Sequence, residues 1–254
     1  MNYKSLLNFT ADLASQAGKI SLQYYQTGIT ADLKADNSPV TVADKAVEGF
    51  IRQQIEKTYP DHAIIGEEFG NNDRDGKTFT WIIDPIDGTK SFIRGVPLYA
   101  VLIGLEVEGI VRVGAAYFPA LNEMICAAED EGCWWNGRRS HVSTIERLEE
   151  AFICYTSMRD MEKNGRSQAW TKLKNNAYEL RGWSDAYGYL AVATGRAEAV
   201  LDPKMKIWDC GPFPPIFREA GGFFGNWQGV EGHTFGEALA CNSKIRAEIV
   251  SILS

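Results

Sequence analysis

The sequence predicts a layered α+β protein in which two halves share a cleft. Three features predict it. Two N-terminal segments carry apolar residues at helical spacing, a run of antiparallel strands with a tight turn follows, and strands then alternate with helices to the end of the chain.

In the first segment, residues 4–26, the residues Leu6, Leu7, Phe9, Leu13, Ala17, Ile20 and Tyr24 share a helical face, and Gly28 closes it. Residues 42–59 repeat the pattern with Val42, Ala46, Phe50, Ile51 and Ile55, with Thr41 as N-cap and Pro60 as stop. Strands are expected at 63–66, 78–84, 98–107, 110–118 and 123–128, with Glu108-Gly109 as a hairpin turn. In the second half, strands at 152–155, 178–181, 197–202 and 222–225 alternate with helices at 165–175 and 185–194, a third from near Trp208 to Glu219, and a last from Ser243. Pro212, Pro214 and Pro215 fall in the first turns of the third helix, where only the first helical position suits proline, so its start is open by several residues. No repeat or low-complexity linker interrupts the chain. We expect one domain, 1–254, made of an N-terminal α+β half (about 1–145) and a C-terminal α/β half (about 146–254).

At 254 residues, with 45% hydrophobic and 23% charged residues, the chain can bury a core and does not have the composition of a disordered segment. Lys and Arg number 26 against 33 Asp and Glu, a formal charge of −7, and no basic block stands out. Nucleic acid and anionic membrane surfaces are therefore not expected partners, because both need a basic footprint. No apolar run approaches the roughly 18–20 residues that span a bilayer, and the N-terminus lacks a signal-peptide pattern. Five widely spaced cysteines without a C-x-x-C read as free thiols in a reducing cytoplasm rather than disulfides or a zinc site.

The most informative stretch is Trp81-Ile-Ile-Asp84-Pro-Ile-Asp87-Gly88-Thr89. An apolar strand runs into two carboxylates, Gly88 permits a tight turn, and Thr89 begins a short helix whose amides suit an anion. One loop thus offers carboxylates for a hard cation and N–H groups for a phosphate; a solvated acidic turn is the plain alternative. Three more acids sit at element ends: Glu67 in Gly66-Glu67-Glu68, Asp209 after Trp208, and Asp44 after Thr41. Each by itself reads as a surface turn or a helix cap. Together they can converge in one cleft, and carboxylates that repel stay together with cations between them. Oxygen-only donors point to Mg²⁺ or a similar hard ion, and three histidines without H-x-x-x-H make zinc a poor match. The Gly70…Gly76-Lys77-Thr78 stretch has five residues between its glycines where a P-loop has four, and no G-x-S-x-G or G-x-G-x-x-G occurs.

Gly66-Glu67-Glu68, Trp81 to Thr89, and Trp208-Asp209 ahead of Glu219-Ala-Gly-Gly222, with Ser38-Pro39-Val40-Thr41…Asp44 upstream, resemble the inositol monophosphatase family of Mg²⁺-dependent phosphatases. The resemblance spans essentially the whole chain. It implies a five-layer αβαβα sugar-phosphatase fold, usually a homodimer and often inhibited by lithium, acting on a small phosphorylated metabolite. It further implies that Glu67, Asp84 and the Ile86 carbonyl hold one Mg²⁺, that Asp84, Asp87 and Asp209 hold a second, and that a third ion can join them near Lys34. Glu67 and Thr89 would orient the attacking water, Asp44 would hold the Thr89 hydroxyl, and the Gly88 and Thr89 amides would hold the phosphate. Lys34 is open to two readings, a loop that completes the site or a plain connecting turn.

Ser184-Asp185-Ala186-Tyr187-Gly188-Tyr189 is similar to the histidinol-phosphate phosphatase branch of that family. Asp185 and Asp202 are the candidate substrate-binding residues: acids complement the amine and imidazole of histidinol, and of the two it is Asp185 that points to that substrate, because the acid at Asp202 is shared across the family that the chain resembles; an N-cap and a turn are their plain alternatives. An inositol, sugar or nucleotide 3′-phosphatase is the competing enzyme reading, and a non-catalytic metabolite-binding module the competing class.

Overall fold

A computed structural model describes residues 2–35, 38–71, 76–183 and 185–253. Residues 36–37 beside Ser38, residues 72–75 of the glycine-flanked stretch, and Ser184 of the branch motif lie outside the described residues.

Asn2 caps helix α1 (Tyr3–Leu22) by accepting the Ser5 N–H at 3.0 Å. The helix stops before the predicted residue 26, because the chain turns to pack Tyr25 on Phe92 and Tyr99, and Gln26 takes a left-handed φ of 59°. Strands β1 (Asp32–Leu33) and β2 (Pro39–Val40) pair as a short ribbon. Thr41 then starts α2 (Val42–Thr58) with a capping box in which Asp44 is the reciprocal acid, so Asp44 lies inside the helix start. Next come β3 (Ala63–Gly66), β4 (Gly70–Asn71), β5 (Phe79–Asp87), α3 (Thr89–Ile93), β6 (Ala100–Val107), β7 (Ile110–Phe118), β8 (Glu123–Ala128), β9 (Gly132–Trp135) and β10 (Arg138–Arg139). They form an eight-stranded sheet in the order β10-β9-β8-β7-β6-β5-β3-β4, antiparallel except between β3 and β5. β5 runs past the predicted Asp84 to Asp87, and its pairing with β6 slips between these two residues.

The second half contains β11 (Phe152–Tyr155), α4 (Met158–Lys163), α5 (Ser167–Asn176), β12 (Glu179–Arg181), α6 (Ala186–Ala193), β13 (Ala199–Asp202), α7 (Ile207–Cys210), α8 (Phe213–Ala220), β14 (Gly222–Gly225), β15 (Ala238–Asn242) and α9 (Arg246–Leu253). Its five strands are ordered β12-β11-β13-β15-β14. The expected single helix over 208–219 is two helices, because Pro212 supplies no N–H to continue the first and instead precedes the second.

Side chains of α1 and α2, such as Leu13 and Ile51, pack with Trp81 and Val113 on one face of the large sheet. Tyr189 of α6 and Phe213 and Phe217 of α8 fill the space between the sheets with Phe118 and Phe224. Trp170 of α5 and Ile249 of α9 cover the outer face of the small sheet with Phe223. The order is helix, sheet, helix, sheet, helix, the five layers that the sequence resemblance implied. Among the described residues, no helix is long and apolar enough to cross a membrane.

Candidate active site

The slip in β5 shapes the centre of the site. Asp84, paired with Leu102, is the last residue of the regular ladder before Pro85, and its Oδ1 accepts the Ile86 N–H at 3.0 Å. Asp87 ends the strand, and Gly88, at a φ of 81°, turns the chain into α3. A residue with a side chain is strained at that angle, so the turn that presents the Thr89 amide depends on glycine. Asp209 enters from the first turn of α7, where its Oδ2 accepts the Lys206 N–H at 2.7 Å. One oxygen from each of Asp84, Asp87 and Asp209 lies within 4.8 Å of the others, a grouping that could hold a metal ion.

These carboxylates crowd one another. Burial, then the charges of Glu67, Asp87 and Asp209, hold Asp84 well above the usual carboxylate range. Burial, then Asp185 and Asp209, do the same to Asp87. Burial pushes Asp209 up to about 7 against the bond from the Lys206 amide. Three acids this reluctant to ionise, with only oxygen donors, fit a hard divalent cation that would pay for their charge.

Glu67 opens onto the same hollow of about 200 Å³ as Asp84, Asp87, Asp209 and Thr89. Its carboxylate is bonded to Lys34 Nζ at 2.7 Å, and the same ammonium reaches Glu68 at 2.6 Å. Lys34 therefore reaches the site, whichever of its two sequence readings holds for the rest of its loop. Thr89 Oγ1 lies 3.4 Å from Asp44 Oδ1 and 3.2 Å from the Ile86 carbonyl. Asp44 is fully buried, and burial raises it against the bonds that it accepts from Thr41. Thr89 is the first residue of α3, where N–H groups have no intrahelical partner.

A second hollow of about 100 Å³ adjoins the first and shares Asp87, Asp185 and Asp209 with it; Thr156, Ala186, Tyr189, Asp202, Lys204 and Met205 complete its wall. The structure brings both expected substrate residues there. Asp185 occupies the N-cap position of α6, at φ 55° and ψ −151°, but its side chain makes no capping bond to the helix. Asp202 ends β13, and the Tyr189 hydroxyl donates to its Oδ2 at 2.8 Å. Burial pushes Asp202 up to about 6, resisted by the Thr156 and Tyr189 bonds.

Every expected site residue thus lies on these two hollows or on the hydrogen bonds behind them. The sequence reading did not single out Thr156 in this role. A threonine just past a short buried strand carries no signal of its own until β11 and β13 are seen side by side.

The inositol monophosphatase family model matches residues 2–252. A histidinol-phosphatase of Chlorobaculum parvum is 40% identical over 92% of this chain and 90% of its own length. A histidinol-phosphatase of Mycobacterium tuberculosis is 34% identical over 95% of each chain. Among solved structures, the extragenic suppressor protein SuhB of Bartonella henselae superposes with a TM-score of 0.91 at 26% identity, covering 98% of both chains. Site, fold and sequence agree, and the chain belongs to the inositol monophosphatase family.

Proposed function

We propose that the protein is a Mg²⁺-dependent phosphomonoester hydrolase that converts L-histidinol phosphate and water to L-histidinol and phosphate. The observation that carries the reading is the pair of joined hollows: carboxylates meet a helix start in one, and Asp185 and Asp202 line the other. The two histidinol-phosphatase relatives support the substrate.

Asp84, Asp87 and Asp209, with Glu67 and the Ile86 carbonyl, are the residues to hold two or three Mg²⁺. Bound there, the ions would neutralise the phosphate and stabilise the entering and leaving oxygens. The remaining steps belong to the chain. The Gly88 and Thr89 amides receive phosphate oxygens at the start of α3. Asp44 accepts the Thr89 hydroxyl proton, which leaves the lone pairs of Oγ1 to accept from the attacking water. Glu67 accepts from the same water, and the two acceptors aim its oxygen at phosphorus. As that bond forms the attacking water gives up a proton, the ester P–O bond breaks on the far side, and the leaving oxygen takes up a proton from solvent, so that the protons balance. Asp185 and Asp202 face the alcohol, and Asp185 is the acid that favours the cationic groups of histidinol over the hydroxyls of an inositol.

One domain over 1–254 is part of this reading, supported by the core that α6 and α8 share with both sheets. A homodimer in the cytoplasm is part of it too; five free cysteines suit a reducing compartment. Light scattering on the purified chain tests the dimer. A phosphate-release panel over histidinol phosphate, myo-inositol 1-phosphate, fructose bisphosphate and adenosine bisphosphate, with Mg²⁺ and with EDTA, tests the reaction. Histidinol phosphate is expected to give the highest kcat/KM, and only with Mg²⁺. A higher value for inositol phosphate overturns the substrate, and full turnover in EDTA overturns the metal chemistry.

A further inference from the structure

Behind the Glu67 turn lies a buried ion pair that the chemistry above does not use. Helix α2 places Asp44, Glu48 and Arg52 four residues apart, on one face. Glu48 is fully buried. Its Oε2 accepts the Glu68 N–H at 2.7 Å, and its Oε1 accepts the Phe69 N–H at 3.1 Å and Arg52 Nε at 2.8 Å. Arg52 Nη2 donates to the Gly70 carbonyl. The turn between β3 and β4 is thus wrapped around one carboxylate, with successive peptide groups pinned to it. Gly66 belongs to the same arrangement: a Cβ there would overlap the Glu48 carboxylate and lie 2.8 Å from Arg52 Nη2.

Stability alone is a poor reason for such a pair. Burying two charges costs about as much as their attraction returns, and an apolar pair of equal volume often does as well. Geometry is a better reason. Glu67 sits between Gly66 and Glu68, both of which are in contact with or bonded to Glu48, while its own amide reaches the Ile83 carbonyl at 3.3 Å. One turn earlier on α2, Asp44 meets Thr89.

We infer that Glu48, braced by Arg52, is a positioning residue that fixes Glu67 for metal binding, and that one face of α2 sets Glu67 and Thr89 in register. This rests on the reading of Glu67 as a metal ligand. Outer partners that orient ligands are typically worth 10–100-fold in metal affinity. The test is calorimetric titration of Mg²⁺ into the metal-stripped wild type, Glu48→Gln, Glu67→Gln and the double variant, with a melting curve for each. Glu48→Gln keeps the shape but gives up the charge that the turn amides and Arg52 share. It is expected to weaken binding 10–100-fold in the wild-type background and to add nothing in the Glu67→Gln background, because it acts through Glu67. A Glu48→Gln variant that binds like wild type, or one whose loss adds in full to Glu67→Gln, overturns the inference. If Glu48→Gln does not fold, Arg52→Lys takes its place with the same two outcomes, since it keeps the cation but gives up the fork to Gly70. A wild type that binds no Mg²⁺ overturns the proposed function together with this inference, so the two failures are distinguishable.

Discussion

Asp87 joins the two halves of the chain through one short bond: its Oδ2 accepts the Ala186 N–H at 2.6 Å, at the start of α6. Asp87→Asn keeps the shape and removes one charge from the metal-holding set. We expect kcat to fall by roughly 10²–10⁴, since charge stabilisation dominates such sites. The fold should survive, because neutralising one of several repelling acids relieves their repulsion. A folded and fully active variant would reduce Asp87 to a turn residue. Asp185, its neighbour, sits at backbone angles that are nearly restricted to glycine, at a cost of roughly 1–3 kcal/mol. Such strain is tolerated where the side chain is needed in place. Asp185→Gly should therefore raise the melting temperature by a few degrees and lower the preference for histidinol phosphate over inositol phosphate by about one to two orders of magnitude. Steady-state kinetics on both substrates, read beside a melting curve, check the two halves of that statement. A variant with unchanged preference would show that the strain serves something other than the alcohol.

At the scale of elements, the metal-holding set depends on how closely α7 and α8 approach the large sheet. Gly104 of β6 and Gly114 of β7 are paired directly across the ladder. A Cβ on either would overlap the backbone of the α7–α8 junction, the Gly211 carbonyl in one case and Pro212 in the other. This bare patch lets the junction rest on the sheet and brings Asp209 to Asp84. Gly104→Ala should destabilise the fold by about 1–3 kcal/mol through overpacking and weaken Mg²⁺ binding at the same time. Melting and calorimetry on the one variant test both effects, and a destabilised protein with intact affinity would separate the patch from the site. None of this was legible in the sequence, where Gly104 and Gly114 read as two more glycines in apolar strands. What was legible was local: the Thr41 cap, the Asp84 to Thr89 stretch and the hairpin at Glu108-Gly109 each announce themselves within a few residues. The break at Pro212 and the short strand β15 did not: three prolines left the helix start open without showing two helices, and the four apolar residues Ala238–Cys241 ahead of Asn242 are too short and unalternating a run to tell a strand from a helix segment. The ties of Glu48 to Glu68 and Phe69 were hidden too, because i,i+4 Glu–Arg pairs on a helix ordinarily face solvent.

Over the whole molecule, the crowding of acids makes stability depend on pH in a direction opposite to that of salt-bridged carboxylates. Asp209 is raised from 3.8 to about 7 and Asp202 to about 6, both chiefly by burial, and burial also holds Asp84 and Asp87 well above the usual carboxylate range. Glu68, whose carboxylate is bonded to Lys34, moves up to about 7 for the same first reason. Between about pH 4 and pH 7 the folded chain therefore keeps protons that the unfolded chain has released. Stability is greatest at the acid end of that window and falls as pH rises through the folded values. His62, whose burial lowers its pKa, works in the other direction, but it accounts for one proton against several. The metal-free protein should thus melt several degrees higher near pH 5.5 than near pH 8. Mg²⁺ must displace those protons to bind, so its stabilising effect should be small at the acid end, large near pH 8, and accompanied by proton release around neutrality. Melting curves across pH in EDTA and in millimolar Mg²⁺ measure the first two. Titrations in two buffers of different ionisation heat measure the third. The Asp87→Asn variant should flatten the EDTA curve, since one of the reluctant acids is gone. A metal-free protein whose melting temperature climbs from pH 5.5 to pH 8 would mean that the cluster ionises without cost, and that Asp84, Asp87 and Asp209 do not need a cation between them.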